Sequence, residues 1–166
     1  MKILVLSDSH SSLRLMRMSI DRIRPDTVIH LGDYYGDAQA VAEEYPHLVF
    51  HQVPGNCDNY HCSPFIPRIL NYDVGGVRLY MTHGHKHNVK FDLSLLLQDA
   101  RKARVAAGLY GHTHIPDCRQ EPDGLWILNP GSCGHAGGSA GVIETDHGRI
   151  QACYLVGAED LAEMKN

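Results

Sequence analysis

Residues 3–10 read Ile3-Leu4-Val5-Leu6-Ser7-Asp8-Ser9-His10, and how that stretch is read decides the fold. Four consecutive apolar residues fit a strand buried on both faces, as in parallel sheets covered by helices. The polar Ser7-Asp8-Ser9-His10 ends it abruptly. Downstream, Leu13, Met16, Ile20 and Ile23 recur at spacings of three and four, which predicts a helix over 11–24. Pro25 stops that helix, because proline disfavours helical backbone in the residue before it. Residues 27–31 read as a second strand, stopped by Gly32-Asp33. Residues 37–45 read as a second helix, ended by Pro46, and 48–53 as a third strand, stopped by Pro54-Gly55. This alternation predicts an α/β layered domain with parallel strands and right-handed crossovers.

The pattern then changes. Segments 68–73 and 77–81 flank Gly75-Gly76, a hairpin signal. Residues 92–104 read as a third helix, with Asp92 as N-cap and Leu93, Leu96, Leu97 and Ala100 as its apolar face. Residues 105–110 read as a strand interrupted by Gly108. Short strands are expected over 116–119, 125–128, 142–145 and 150–155, with turns at Asp123-Gly124 and His147-Gly148. The second half is therefore expected to form a second sheet packed on the first. No linker or repeat interrupts the chain, so residues 1–166 are expected to be one domain.

Composition narrows the chemistry. Hydrophobic residues make up 43% and charged residues 20%, with a formal net charge of -4. This is an ordinary globular balance, and it argues against a general nucleic-acid or membrane surface. The five cysteines form no CxxC pair, and no apolar run approaches membrane-spanning length. A reducing, cytoplasmic setting is expected. The twelve histidines are the outlier, against roughly four for ordinary usage.

Spacing says what the histidines are for. Asp8-Ser9-His10, Gly32-Asp33, Gly55-Asn56-Cys57-Asp58, Thr82-His83-Gly84-His85 and Gly111-His112-Thr113-His114 all fall at the ends of predicted strands. Ligands gather outside the carboxyl ends of strands in α/β sheets. Oxygen and imidazole donors together suit Mn, Fe, Zn, Ni or Co better than Mg or Ca. Each motif alone is weak. The strongest, His112-Thr113-His114, would present two imidazoles on one side as alternate strand residues.

This ordered set resembles the calcineurin-like metallophosphoesterases, and the short length with Gly55-Asn56-Cys57-Asp58 is similar to their small YfcE-like subgroup. The resemblance implies a four-layer α-β-β-α sandwich of two mixed sheets flanked by helices. It implies two divalent transition-metal ions, Mn²⁺ first, with Ni²⁺, Fe²⁺, Zn²⁺ or Co²⁺ as substitutes. One would be held by Asp8, His10, Asp33 and His114, the other by Asp33, Asn56, His83 and His112. The implied activity is hydrolysis of a small or exposed phosphodiester by in-line attack of a metal-bridging hydroxide. A phosphomonoesterase or nucleotide pyrophosphatase is the alternative. A non-catalytic scaffold similar to the small retromer subunit is the competing class. The implied partner is a small phosphate ester, with nucleic acid entering only as a candidate substrate and self-association left open.

The sequence departs from the family at Cys57, where many relatives carry a histidine that protonates the leaving group. Cys57 is expected to be a small buried hydrophobe. Leaving-group protonation is then expected to be weak or to fall to His85. Asp58 is expected to orient its loop. With Asn56 these are the catalytic candidates. The segment Asn129-Pro130-Gly131-Ser132 resembles a loop near the family's site, and His135 beyond it reads as an incidental histidine of a glycine loop, with a contact to substrate as the alternative. His30 and His51 are expected to be structural, His47, His61 and His147 solvated, and Cys118 and Cys153 buried and inert. Tyr34 and Tyr35 read as a substrate wall or as packing.

Overall fold

The computed structural model describes residues 1–60 and 62–164. His61 lies outside them. β1 (Lys2–Leu6), α1 (Arg14–Ile23), β2 (Thr27–His30), α2 (Tyr35–Glu44) and β3 (Val49–Gln52) alternate as the apolar pattern predicts. β2 runs parallel to both β1 and β3. Arg24 leaves α1 in a left-handed conformation (φ 52°) and donates its N–H to the Ile20 carbonyl, which closes the helix just before Pro25. β4 (Ile69–Val74) and β5 (Val77–Thr82) form the expected hairpin. Its two turn residues, Gly75 and Gly76, both have positive φ (63° and 80°), as a tight two-residue turn requires.

α3 (Ser94–Lys102) is followed by β6 (Ala107–Leu109), β7 (Asp117–Gln120), β8 (Trp126–Asn129), β9 (Ser139–Asp146), β10 (Arg149–Gly157) and α4 (Ala158–Glu163). Three details correct the sequence reading. Asp92 is not the N-cap of α3. Leu93 holds that position, and Asp92 Oδ1 accepts from the Ser94 N–H at 2.7 Å as a side-chain turn. α4 was not anticipated, because only six residues and one fully buried side chain, Leu161, define it. Finally, the second half does not make one sheet. The order β4-β5-β6-β8-β7 forms the second sheet, while the β9–β10 hairpin returns to the first, giving β10-β9-β1-β2-β3. β9 is antiparallel to β1 and pairs Val142 with Leu4 and Ile143 with Ile3. This return covers the edge of β1 that β2 leaves unpaired. Both sheets are mixed.

The alternation of side chains along each strand builds three cores. Ile3 and Val5 of β1 face inward with Ile29, Leu79, Met81, Leu109 and Leu128, filling the space between the sheets. Leu4 and Leu6 face the other way, against Met16 and Ile20 of α1, Val41 of α2 and Leu161 of α4. Tyr80 and Ile127 pack against Leu96 and Ala100 of α3 on the outer face of the second sheet. The layers therefore run helix, sheet, sheet, helix. Each fully buried Leu or Ile contributes about 1.5–3 kcal/mol of transfer free energy. No helix among the described residues is long and apolar enough to cross a membrane.

Candidate metal centre

The loops that leave the carboxyl ends of β1, β2, β3, β5 and β6 converge. Five of their polar residues, Asp8, His10, Asp33, His112 and His114, have positive φ, between 45° and 68°. That conformation is uncommon for side-chain-bearing residues, and Asp and His are among the types that tolerate it best. It turns each side chain back over the strand ends. The expectation for His112 and His114 is corrected here. They are not alternate strand residues, since β6 ends at Leu109, and their rings are brought in by loop backbone. Glycine permits the close approach. A Cβ on Gly111 would strike the Ser7 hydroxyl and Asp8 Oδ2, and one on Gly55 would strike the Asp33 carboxylate.

Asp8 sits at the centre and is fully buried. Its Oδ2 accepts from the Ser7 hydroxyl at 2.6 Å and the His112 N–H at 3.1 Å. Its Oδ1 has no hydrogen-bond partner. The nearest polar atoms are Nε2 of His114 at 3.1 Å, His83 at 3.9 Å and His10 at 4.0 Å. Burial outweighs the bonds from Ser7 and His112 and pushes the Asp8 carboxyl up to about 6. Asp33 is 2% exposed. Burial opposes its charge, but His83, the Cys57 N–H (2.9 Å to Oδ1) and His10 together hold its carboxyl below the usual range.

His83 shows what this geometry lacks. Its Nδ1 lies 2.8 Å from the Leu31 carbonyl, which fixes the proton on that nitrogen. The lone pair on Nε2 then faces Asn56 Oδ1 at 3.1 Å, Asp33 Oδ1 at 3.5 Å and Asp8 Oδ1 at 3.9 Å. Burial pushes its imidazolium down to about 4, so the ring is neutral near pH 7. A lone pair aimed among oxygens calls for a cation between them. The donor atoms of Asp8, His10, Asp33 and His114 lie within 4.8 Å of one another, a spacing that fits one ion. His112 extends the cluster, its ring 5.1 Å from that of His83.

The remaining candidates surround this cluster. His85 opens a short 3-10 turn, and its ring is 5.4 Å from His83 and 6.1 Å from His112. Burial, followed by the charges of Arg68 and Lys86, lowers its imidazolium below the ordinary value. Asp58 is buried with both oxygens taken by backbone: Gly55 N–H at 2.7 Å and Tyr35 N–H at 2.8 Å. Cys57 is exposed, not buried, because its loop crest turns outward while its N–H bonds Asp33. Partial desolvation of its sulfur, and then the nearby Asp33, push its thiol up to about 11. Tyr34 is exposed and meets the His10 ring edge-on at 5.3 Å. His30 is buried in β2, and burial pushes it down to about 4.

The sequence reading missed several contributors. Ser7 has no motif, yet it holds Asp8. Ser132 donates its hydroxyl to the Asp8 carbonyl at 2.7 Å, and Asn129 Nδ2 bonds the Gly111 carbonyl at 3.1 Å, so that segment braces two metal loops from β8. His135 is not incidental in space: its ring lies 5.5 Å from His114 and 6.2 Å from His10. Arg68 is anchored on the Gly55 carbonyl at 3.2 Å, one residue before Asn56. Lys90 is close enough to lower the imidazolium values of His112 and His114, after burial in both cases and after His135 for His114. Only long-range folding marks Ser7, Arg68 and Lys90; the Asn129–Ser132 segment is the one that the family resemblance had placed near the site.

Comparison with known proteins gives the family and the fold. The profile of the calcineurin-like phosphoesterase superfamily domain matches residues 1–148. Phosphodiesterase MJ0936 of Methanocaldococcus jannaschii is 27% identical over 165 residues, covering 88% of this chain and 94% of its own. A predicted phosphoesterase from Streptococcus pneumoniae TIGR4 superposes with a TM-score of 0.69 at 23% identity, covering 94% of this chain and 97% of its own. Zinc-complexed Vps29 of Entamoeba histolytica superposes with a TM-score of 0.68 at 20% identity, covering 95% and 99%. With the fold matched and the family profile spanning most of its length, the chain belongs to the calcineurin-like phosphoesterase superfamily.

Proposed function

We propose that the protein is a divalent-metal-dependent phosphodiesterase acting on a small or exposed phosphodiester. The observation that carries this reading is the buried Asp8 Oδ1, without a hydrogen-bond partner and faced by the Nε2 atoms of three histidines. Asp8, His10, Asp33 and His114 would hold one ion. Asp33, Asn56, His83 and His112 would hold a second, with Asp33 shared. Mn²⁺ is the first choice, since the mixed oxygen and imidazole donors suit first-row transition ions. When bound, such ions supply a water that ionises near neutral pH and neutralise charge on phosphoryl oxygens.

The chain's own residues prepare the site. Ser7, the His112 N–H and the Cys57 N–H fix the two carboxylates before any ligand arrives. The Leu31 carbonyl fixes the tautomer of His83. This preorganisation avoids reorganisation cost during reaction. Arg68, bonded to the Gly55 carbonyl, and Lys90, whose charge acts on His112 and His114, favour an anionic ester. The Cys57 thiol, pushed up to about 11, keeps its proton and is a poor acid for an alkoxide. His85 is the nearest spare imidazole for protonating the leaving oxygen.

The test is bis-p-nitrophenyl phosphate hydrolysis by metal-stripped protein during Mn²⁺ titration, with His112→Ala alongside. Activity should return with Mn²⁺ and fall by at least about 100-fold in the variant. Faster turnover of p-nitrophenyl phosphate would favour a monoesterase. Metal binding with no hydrolysis under Mn²⁺, Ni²⁺, Co²⁺ or Zn²⁺ would sink the enzyme reading and favour an interaction scaffold.

A further inference from the structure

The two sheets of the sandwich are each open at both edges, and the edges meet in pairs. On one side β3 faces β4, where His51 Nδ1 and the Tyr72 hydroxyl are 2.8 Å apart. On the other side β10 faces β7, and there the contact is between two sulfurs. Cys118 Sγ of β7 lies 3.4 Å from Cys153 Sγ of β10. The residues are 35 apart in sequence and belong to different sheets. Both side chains pack against the core between the sheets while keeping partial exposure, which corrects the expectation that they are fully buried. Sealing an edge needs only a small apolar side chain on each strand. It does not need two sulfurs aimed at each other.

We propose that Cys118 and Cys153 form a reversible disulfide that staples the two sheets together, with a peroxide as oxidant. The contact couples the pair, so either sulfur can serve as the attacking thiolate while the other resolves. The path that starts from Cys118 is representative of both. Cys118 sulfur attacks one peroxide oxygen, the O–O bond breaks, and the departing hydroxide takes up a proton as water. Cys153 then loses its proton and attacks the Cys118 sulfenic acid, and the S–O bond breaks to release a second water. Two thiols lose two electrons, hydrogen peroxide gains two, and a dithiol reductant reverses the result. The sulfurs must close from 3.4 Å to about 2.05 Å. Each strand is the outermost of its sheet, with ladder bonds on one side only, so both can yield.

The consequence is mechanical. The bond would close a loop containing β8, β9 and the Asn129–Ser139 connection, which includes the Ser132 brace on Asp8. Chain-entropy arguments for a loop of this size, in a protein of this length, put the rise in Tm on the order of 10 °C.

The experiment uses the full-length protein, reduced and desalted, then treated with a small excess of hydrogen peroxide. Alkylation and non-reducing peptide mapping should find Cys118 linked to Cys153 and two of the five thiols lost. Tm should rise, and dithiothreitol should reverse both changes. Cys118→Ser and Cys153→Ser should each lose the link and the rise, while Cys57→Ser keeps both. Unlinked peptides, sulfinic acid at Cys118, or a linked pair with unchanged Tm would each overturn the proposal. The wild-type melt decides even if a serine variant folds poorly.

Discussion

The two ends of the sandwich use the same backbone conformation for opposite purposes. At the far end, where β4 turns into β5, β9 into β10 and the helices α1 and α3 end, positive φ falls on Gly75, Gly76 and Gly148, together with His147, Arg24 and Arg104. There the left-handed residues only reverse the chain. At the site end, it falls on Asp8, His10, Ser11, Asp33, Tyr34, His112 and His114. Left-handed backbone costs a side-chain-bearing residue roughly 1–2 kcal/mol. The difference shows that the site end retains strain and buried charge, and that the cores beneath must offset it. Five of the seven left-handed, side-chain-bearing residues named at the site end are ligand candidates, and that concentration points to function.

The largest break in this comparison should come from Asp8→Asn. Asparagine keeps the shape but loses the charge, so metal-dependent hydrolysis should fall by at least about 100-fold. Without metal, the same variant should be more stable than wild type. Burial raises the folded Asp8 carboxyl from 3.8 to about 6, so its stabilising contribution is complete below about pH 4 and is lost as pH rises through 6. Above that pH the wild-type protein carries a penalty of up to about 3 kcal/mol. His30 and His83, both pushed down to about 4, act in the opposite sense, losing stability as pH falls from about 6.5 through 4. Thermal melts with chelator at pH 4, 6 and 8 should therefore show the variant's advantage growing to pH 6 and then levelling. Saturating Mn²⁺ should reverse the ranking, because wild type gains more from binding than a variant that has lost the Asp8 charge. An advantage that is independent of pH would refute the buried-charge account.

A moderate effect is expected at the other end. Gly75→Ala would place a Cβ 2.8 Å from Thr145 Oγ1 and 3.1 Å from Met1 Sδ, at φ 63°. It should cost about 1–2 kcal/mol and lower Tm by a few degrees. Mn²⁺-dependent kcat should stay unchanged, because the turn lies at the opposite end of β5 from His83. A fall in kcat without loss of fold would mean the two ends are coupled.

The smallest effect sharpens the contrast. Ser11 sits at φ 68° and meets Asp37 through its backbone N–H at 2.8 Å. Ser11→Gly keeps that bond and relieves the strain, so it should stabilise by less than about 1 kcal/mol. Measurable destabilisation would show that the site end is not strained at this position.

The sequence alone determined a good deal. Ile3 to Leu6, the proline stops and the glycine hairpin made the α/β order legible, because apolar period and turn chemistry are local properties. The five motifs were legible for the same reason: each is a short string at a strand end. Tertiary structure decided what local strings cannot hold. It sent β9 and β10 back to the first sheet, since pairing depends on which edge is free. It exposed Cys57 through the course of its loop, and it brought Arg68 and Lys90 to the site from segments without a motif. It also set Cys118 against Cys153, a contact that exists only once two separate sheets have closed on one core.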